Sequence, residues 1–104
     1  MKYHNKPTIL YGIKFHSKKE AEYSIILNDM IRKKEIISYQ MQFPMHLEVN
    51  GEKITKYIAD FLITKPDGSQ EIHETKGYFT KDGKIKWKLA QALYKDKYKF
   101  ILIQ

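Results

Sequence analysis

Apolar and polar positions alternate along this chain in patterns that mark out its elements. Tyr57, Ile58, Ala59, Phe61, Leu62 and Ile63 are apolar at odd and even positions alike, which predicts a strand covered on both faces, with Asp60 the one carboxylate in its middle. Pro66, Asp67 and Gly68 follow as a turn, because Pro presets φ and Gly supplies a positive φ. A second strand over residues 70–76 then ends at Gly77, with Ile72, Glu74 and Lys76 on one face by the two-residue period. Upstream, residues 39–44 read as a strand whose edge or end is marked by Pro44, and residues 45–49 continue extended. Asn50-Gly51 is a hairpin signal leading into residues 53–63.

Two stretches carry the helical period. Ser17 and Glu20 have capping-box spacing, and the helix they open runs to about Lys33 or Lys34. At about 100° per residue, Tyr23, Ile26, Leu27, Met30 and Ile31 form one apolar arc. Glu20 falls inside that arc and Glu22 well outside it, so Glu20 is expected to face the sheet and Glu22 the solvent. A second helix is expected over residues 84–95, where Ile85, Leu89, Ala92 and Leu93 recur with Trp87 and Tyr94 alongside. Residues 35–38 read as a linker, and residues 78–83 as a loop with a turn at Asp82-Gly83. Residues 13–15 make a short strand after a turn around Tyr11-Gly12, and residues 98–103 a final strand. The order is α-β-β-β-α-β, an α/β sandwich with a mixed β-sheet flanked by helices. In it the strand over 70–76 and the last strand run parallel through a right-handed crossover.

At 104 residues the chain is expected to form a single domain with one modest core. No apolar run is long enough for a membrane span, and the first seven residues lack the apolar stretch of a signal peptide, so a cytoplasmic location is expected. Without cysteine, disulfides, thiolate zinc sites and cysteine nucleophiles are excluded. The net charge of +7 fits either a polyanionic partner, nucleic acid first, or a soluble basic surface.

The hairpin carries the candidate chemistry. With a loop over residues 65–69, Thr64 faces Gln70 and the register sets Asp60 opposite Glu74. Like charges placed opposite one another are unfavourable, and burial adds a desolvation cost. The two acids therefore call for a cation, and Mg2+ suits carboxylate oxygens. Lys76 is a second positive charge beside them, and as an ordinary strand-end lysine it would pair with Glu74. On the first helix, Glu20 either completes the capping box or joins this site. His4, His16, His46 and His73 lack metal-ligand spacing and read as structural or surface residues.

Asp60 followed by Glu74-x-Lys76 on a hairpin resembles the PD-(D/E)xK nuclease superfamily, without the proline of its name, since Ile58 and Ala59 precede Asp60. Lys2 to Lys6, Gly12 to Glu22, Tyr57 to Phe61 and Glu74 to Gly77 together are similar to small phage-encoded proteins of that superfamily, in the style of phage Holliday-junction resolvases and the nuclease subunits of some transposases. The resemblance implies a restriction-endonuclease-like core and a metal-dependent DNA endonuclease acting on branched DNA in recombination or replication. Mg2+, or Mn2+ in its place, would be held by Asp60, Glu74, the main-chain carbonyl of Thr75 and Glu20, with Lys76 at the scissile phosphate. Lys84, Lys86, Lys88 and Lys95 are either a solvated face or a DNA-phosphate surface, and beside this site the second is favoured. Gln91 and Tyr94 approach an exonuclease helix motif but are one residue short, and read as ordinary helix positions. A homodimer is expected for symmetric cutting. The alternatives are a non-catalytic DNA-binding module and a regulatory partner of a replication complex.

Overall fold

A computed structural model describes residues 8–10, 13–75 and 79–103. The expectations at Lys2 to Lys6, at Tyr11-Gly12 and at Lys76, Gly77 and Tyr78 lie outside the described residues. The elements are β1 (Thr8–Leu10), β2 (Ile13–Phe15), α1 (Lys18–Arg32), β3 (Ser38–Val49), β4 (Glu52–Thr64), β5 (Gln70–Glu74), α2 (Lys81–Tyr94) and β6 (Lys99–Leu102). Strands β3-β4-β5-β6 form one mixed sheet in that spatial order, antiparallel except for the parallel pair β5 and β6. Beyond the expected order, β1 pairs with β2 as a separate antiparallel hairpin packed on α1. Among the described residues no helix is long and apolar enough to cross a membrane.

Local chemistry sets the ends of the elements. Ser17 caps α1, its Oγ accepting from the Glu20 N–H at 3.1 Å. At the other end Lys34 turns left-handed, with φ 62°, and its N–H and that of Glu35 close on Ile31 and Met30. That is the Schellman pattern, with lysine where glycine is commoner. Asn50 and Gly51 both have positive φ, 52° and 83°, as a two-residue hairpin turn requires. Pro44 lies within β3, an outer strand of the sheet, where its missing N–H breaks no inner ladder.

Helix α2 starts three residues before its expected first residue. Asp82-Gly83 is not a turn: both residues lie in the first helical turn. Thr80 Oγ1 caps it by accepting from the Gly83 N–H at 3.0 Å, Asp82 sits favourably near the positive end of the helix dipole, and a side chain at Gly83 would crowd the capping oxygen at 3.2 Å.

The two helices cover opposite faces of the sheet. On the α2 face, Met45, Leu47, Tyr57, Ala59, Leu62, Ile72, Ala90 and Tyr98 form the larger core, with Trp87, Tyr94 and Phe100 packed against it. On the α1 face, Leu27, Ile36, Phe61 and Ile63 form a smaller one, joined by Tyr23, Met30, Tyr39 and Met41. The expected helix arcs need correction. Ile26, Ile31, Ile85 and Leu93 are exposed, and so is Ala92. The buried face of α1 is instead Glu20, Ala21, Ser24 and Leu27, and α2 seats Ala90 on the sheet between the rings of Trp87 and Tyr94. A small residue lets the α2 backbone approach closely while large rings fill the flanks.

Candidate functional site

The site lies where β3 and β4 change faces. In a regular strand Met41 and Phe43 would share a side, as would Ala59 and Phe61. Here Met41 and Phe61 belong to the α1 face, and Phe43 and Ala59 to the α2 face. The ladder pairs Met41 with Phe61 and Phe43 with Ala59 and skips the position between them, Gln42 and Asp60. Gln42 absorbs the inversion with φ 54°, a left-handed conformation uncommon for a residue other than glycine.

Three carboxylates on the elements around this break are buried, Glu20, Asp60 and Glu74, at 3, 4 and 0 % exposure. Glu20 comes from the first turn of α1, aimed inward as the helical phase predicts, while Glu22 is exposed. Its two oxygens each accept from Gln42 Nε2 at 3.0 Å, and the backbone of His16 also hydrogen-bonds it. Burial first, then the charge of Asp60 and a hydrogen bond with it, push the Glu20 carboxyl up to about 7; Gln42 and His16 oppose that rise. The raised pKa means that Glu20 holds its proton to higher pH than an ordinary carboxyl does.

The β4–β5 register begins as the turn predicts. Thr64 lies opposite Gln70 and Phe61 opposite His73, where the ladder ends, one position short of the expected Asp60–Glu74 pair. The two acids have different partners. Asp60 Oδ2 accepts from the Thr75 N–H at 2.9 Å and from the Thr75 hydroxyl at 2.8 Å. Glu74 Oε1 accepts from the Tyr57 hydroxyl. The Tyr57 pKa is pushed up, by burial first, then by the charge of Glu74 and the hydrogen bond to it, and then by the charge of Asp60.

Glu20 and Asp60 suit a hard cation: both are oxygen donors, both are buried, and the charge of Asp60 that raises the Glu20 pKa is what a cation would offset. The full acid set is less well gathered, because Glu74 is committed to Tyr57, and among the described residues no three acidic or imidazole groups converge as a metal-binding group. Lys76 lies outside the described residues. Lys84 and Lys88 of α2 and Lys95 at its C-cap are exposed and Lys86 half-buried, and α2 packs on the face opposite α1 and Glu20.

Of the histidines described, His16 and His46 are exposed. His73 is buried, with Nδ1 2.7 Å from the Tyr23 hydroxyl and Nε2 2.9 Å from Glu71 Oε1. It ties α1 to β5, and burial holds its pKa below the ordinary value. Gln91 Nε2 donates to the Trp87 carbonyl at 3.4 Å and Tyr94 donates to the His46 carbonyl at 2.7 Å, both packing roles. Gln42 and the Tyr57 hydroxyl are site residues that the sequence pattern does not reveal. Gln42 alternates with apolar neighbours and so reads as a solvent-facing strand position, and Tyr57 reads as one apolar residue in a buried run.

Residues 1–103 match the family described as "Protein of unknown function (DUF1064)", and the chain belongs to that family. No curated protein and no solved structure matches it.

Proposed function

We propose that this chain is a metal-dependent DNA endonuclease built on a restriction-endonuclease-like core, hydrolysing phosphodiester bonds with a preference for branched DNA. The observation that carries the proposal is the buried Glu20–Asp60 pair at the break in the sheet, two carboxylates held together in a chain of net charge +7. Buried acids placed side by side are costly to fold, which favours a role for them at a functional site. The mixed sheet, with α1 and α2 on opposite faces and β5 parallel to β6, is the architecture such a core requires.

In this reading Asp60, Glu74, the Thr75 main-chain carbonyl and Glu20 would hold Mg2+ or Mn2+. When bound, such an ion lowers the pKa of a water and neutralises phosphate charge. Thr75 contributes through two donors that fix the Asp60 carboxylate before any ligand arrives. Glu20 gives up its proton when its carboxylate is engaged. Lys76, next along the chain, binds the scissile phosphate, and the α2 lysines contact the DNA backbone. Symmetric cutting of a junction requires two sites, so a homodimer is part of the proposal.

The test is purified protein with Mg2+ or Mn2+ on linear duplex, single-stranded, flap and four-way junction DNA, with EDTA controls. EDTA-sensitive cutting that favours flap or junction DNA is expected, and no cutting of any substrate would sink the proposal. One observation favours a second reading, a non-catalytic DNA-binding module: the commitment of Glu74 to Tyr57. That reading predicts DNA binding in the same panel without divalent-dependent cleavage.

A further inference from the structure

Three described residues other than glycine have positive φ: Lys34, Gln42 and Asn50. Lys34 closes the end of α1 and Asn50 makes a hairpin turn, so local chemistry accounts for both. Gln42 lies in the middle of a strand, where no turn asks for such a backbone. It coincides with the skipped ladder position and with the inversion of side-chain faces in both β3 and β4. Its side chain is also the one that donates to both oxygens of Glu20, at 3.0 Å each. A strained backbone persists where the surrounding structure imposes it, and such strain concentrates at functional sites. A glycine would meet the backbone requirement at less conformational cost, but it would carry no amide.

We infer that Gln42 is a positioning residue: its left-handed backbone turns the carboxamide out of the sheet and onto the Glu20 carboxylate, holding that acid beside Asp60 in readiness for a divalent cation. The inference rests on the nuclease reading for the identity of the cation but not for the geometry. An amide suits the task because it donates without adding charge, whereas lysine would compete with the cation and glutamate would add a third negative group. The geometry separates two contributions of Gln42 that ordinarily go together. The backbone conformation costs stability, and the side chain serves the site.

Substitution pulls these contributions apart. Gln42→Gly removes the strain and the amide together, and Gln42→Ala removes the amide while keeping the strain. Both variants, with Glu20→Gln and the Gln42→Gly/Glu20→Gln pair, would be compared with the wild type for melting temperature, for Mn2+ affinity by calorimetry, and for DNA cleavage. We expect Gln42→Gly to melt at or above the wild-type temperature while Mn2+ affinity and cleavage fall about tenfold or more, the range seen when a group orienting a metal ligand is lost. Gln42→Ala should lose the same affinity and also melt lower. In the Glu20→Gln background, Gln42→Gly should change neither affinity nor cleavage further. Wild-type affinity in both Gln42 variants, or an equal loss with and without Glu20, would overturn the inference. A wild type that neither binds Mn2+ nor cuts DNA would sink the nuclease reading instead. Gln42 is then judged on melting temperature alone: non-additivity with Glu20→Gln supports the positioning role, and strict additivity overturns it.

Discussion

The two faces of the sheet answer different demands. The α2 face is a mainly apolar core in which aromatic rings meet edge-on, Trp87 lying 5.6 Å from Phe100 and 6.0 Å from Tyr57 between ring centres, with buried Glu74 held at its edge by the Tyr57 hydroxyl. The α1 face has the smaller apolar cluster, and beside it sit Glu20, Asp60, the Tyr23–His73 pair and a residue in a left-handed conformation. Both faces use the same strands, and the inversion at Gln42 and Asp60 separates them. One face supplies stability. The other holds polar groups whose burial costs stability, and the proposed function rests on those groups.

The comparison can be broken most sharply at the acids. Asp60→Asn and Glu74→Gln should each reduce cleavage to background while DNA binding persists or strengthens, because negative charge is removed from the site. Binding and turnover are measured separately by using Ca2+ in place of Mg2+. Cleavage near the wild-type rate by either variant would remove the site from consideration.

Next in size is a substitution on the other face. Ile72 is fully buried in the α2 core. Ile72→Ala should cost about 2–5 kcal/mol in chemical denaturation, yet leave cleavage per folded molecule close to wild type at low temperature. A loss of turnover without a loss of stability would mean that the two faces are not separable.

A smaller effect is expected from pH. The Glu20 carboxyl is raised from an ordinary 4.5 to about 7 in the folded chain, so the unfolded chain loses this proton first as pH rises. The stabilisation is complete below pH 4.5 and is lost as pH passes through about 7. In divalent-free buffer, stability should therefore fall by about 1–3 kcal/mol across that window, and Glu20→Gln should flatten the fall. Glu20→Gln keeps a side chain able to serve the capping box, so lost cleavage with little change in melting temperature at acid pH separates a site role from a capping role. A pH profile identical to wild type would show that Glu20 does not carry the buried proton.

The smallest effect belongs to the lysines. Replacing Lys84 and Lys88 by Ala should flatten the dependence of log affinity on log salt by about two units if both contact phosphate, with little change in folding. An unchanged slope would place the DNA surface on the α1 side, where Lys14 of β2 and Lys18 of α1 are exposed.

Much of this arrangement is legible in the sequence because its causes are local. The Ser17 cap, the Asn50-Gly51 turn and the hairpin register at Thr64 and Gln70 each follow from the residues that make them. The inward aim of Glu20 follows from helical phase alone. The start of α2 is hidden because Asp82-Gly83 is as good a turn as it is a first helical turn under the Thr80 cap. The exposed Ile26, Ile31, Ile85 and Leu93 misplace the helix arcs, since periodicity counts apolar residues and not the room available for each. The inversion at Gln42 leaves no sequence trace. Tyr39, Met41, Phe43, Met45 and Leu47 are apolar at every second position, as they would be on one unbroken face, and only the packing of two helices on opposite sides divides them.

The most direct test of the central claim, that the Glu20–Asp60 pair is a cation site, is calorimetric titration of Mn2+ at pH 7 in buffers of different ionisation enthalpy. The account predicts binding by the wild type with release of protons, because the raised pKa of Glu20 keeps its carboxyl partly protonated until a cation engages it. Binding should be lost in Asp60→Asn, and proton release lost in Glu20→Gln. Undiminished Mn2+ binding by Asp60→Asn, or no binding by the wild type, would contradict it.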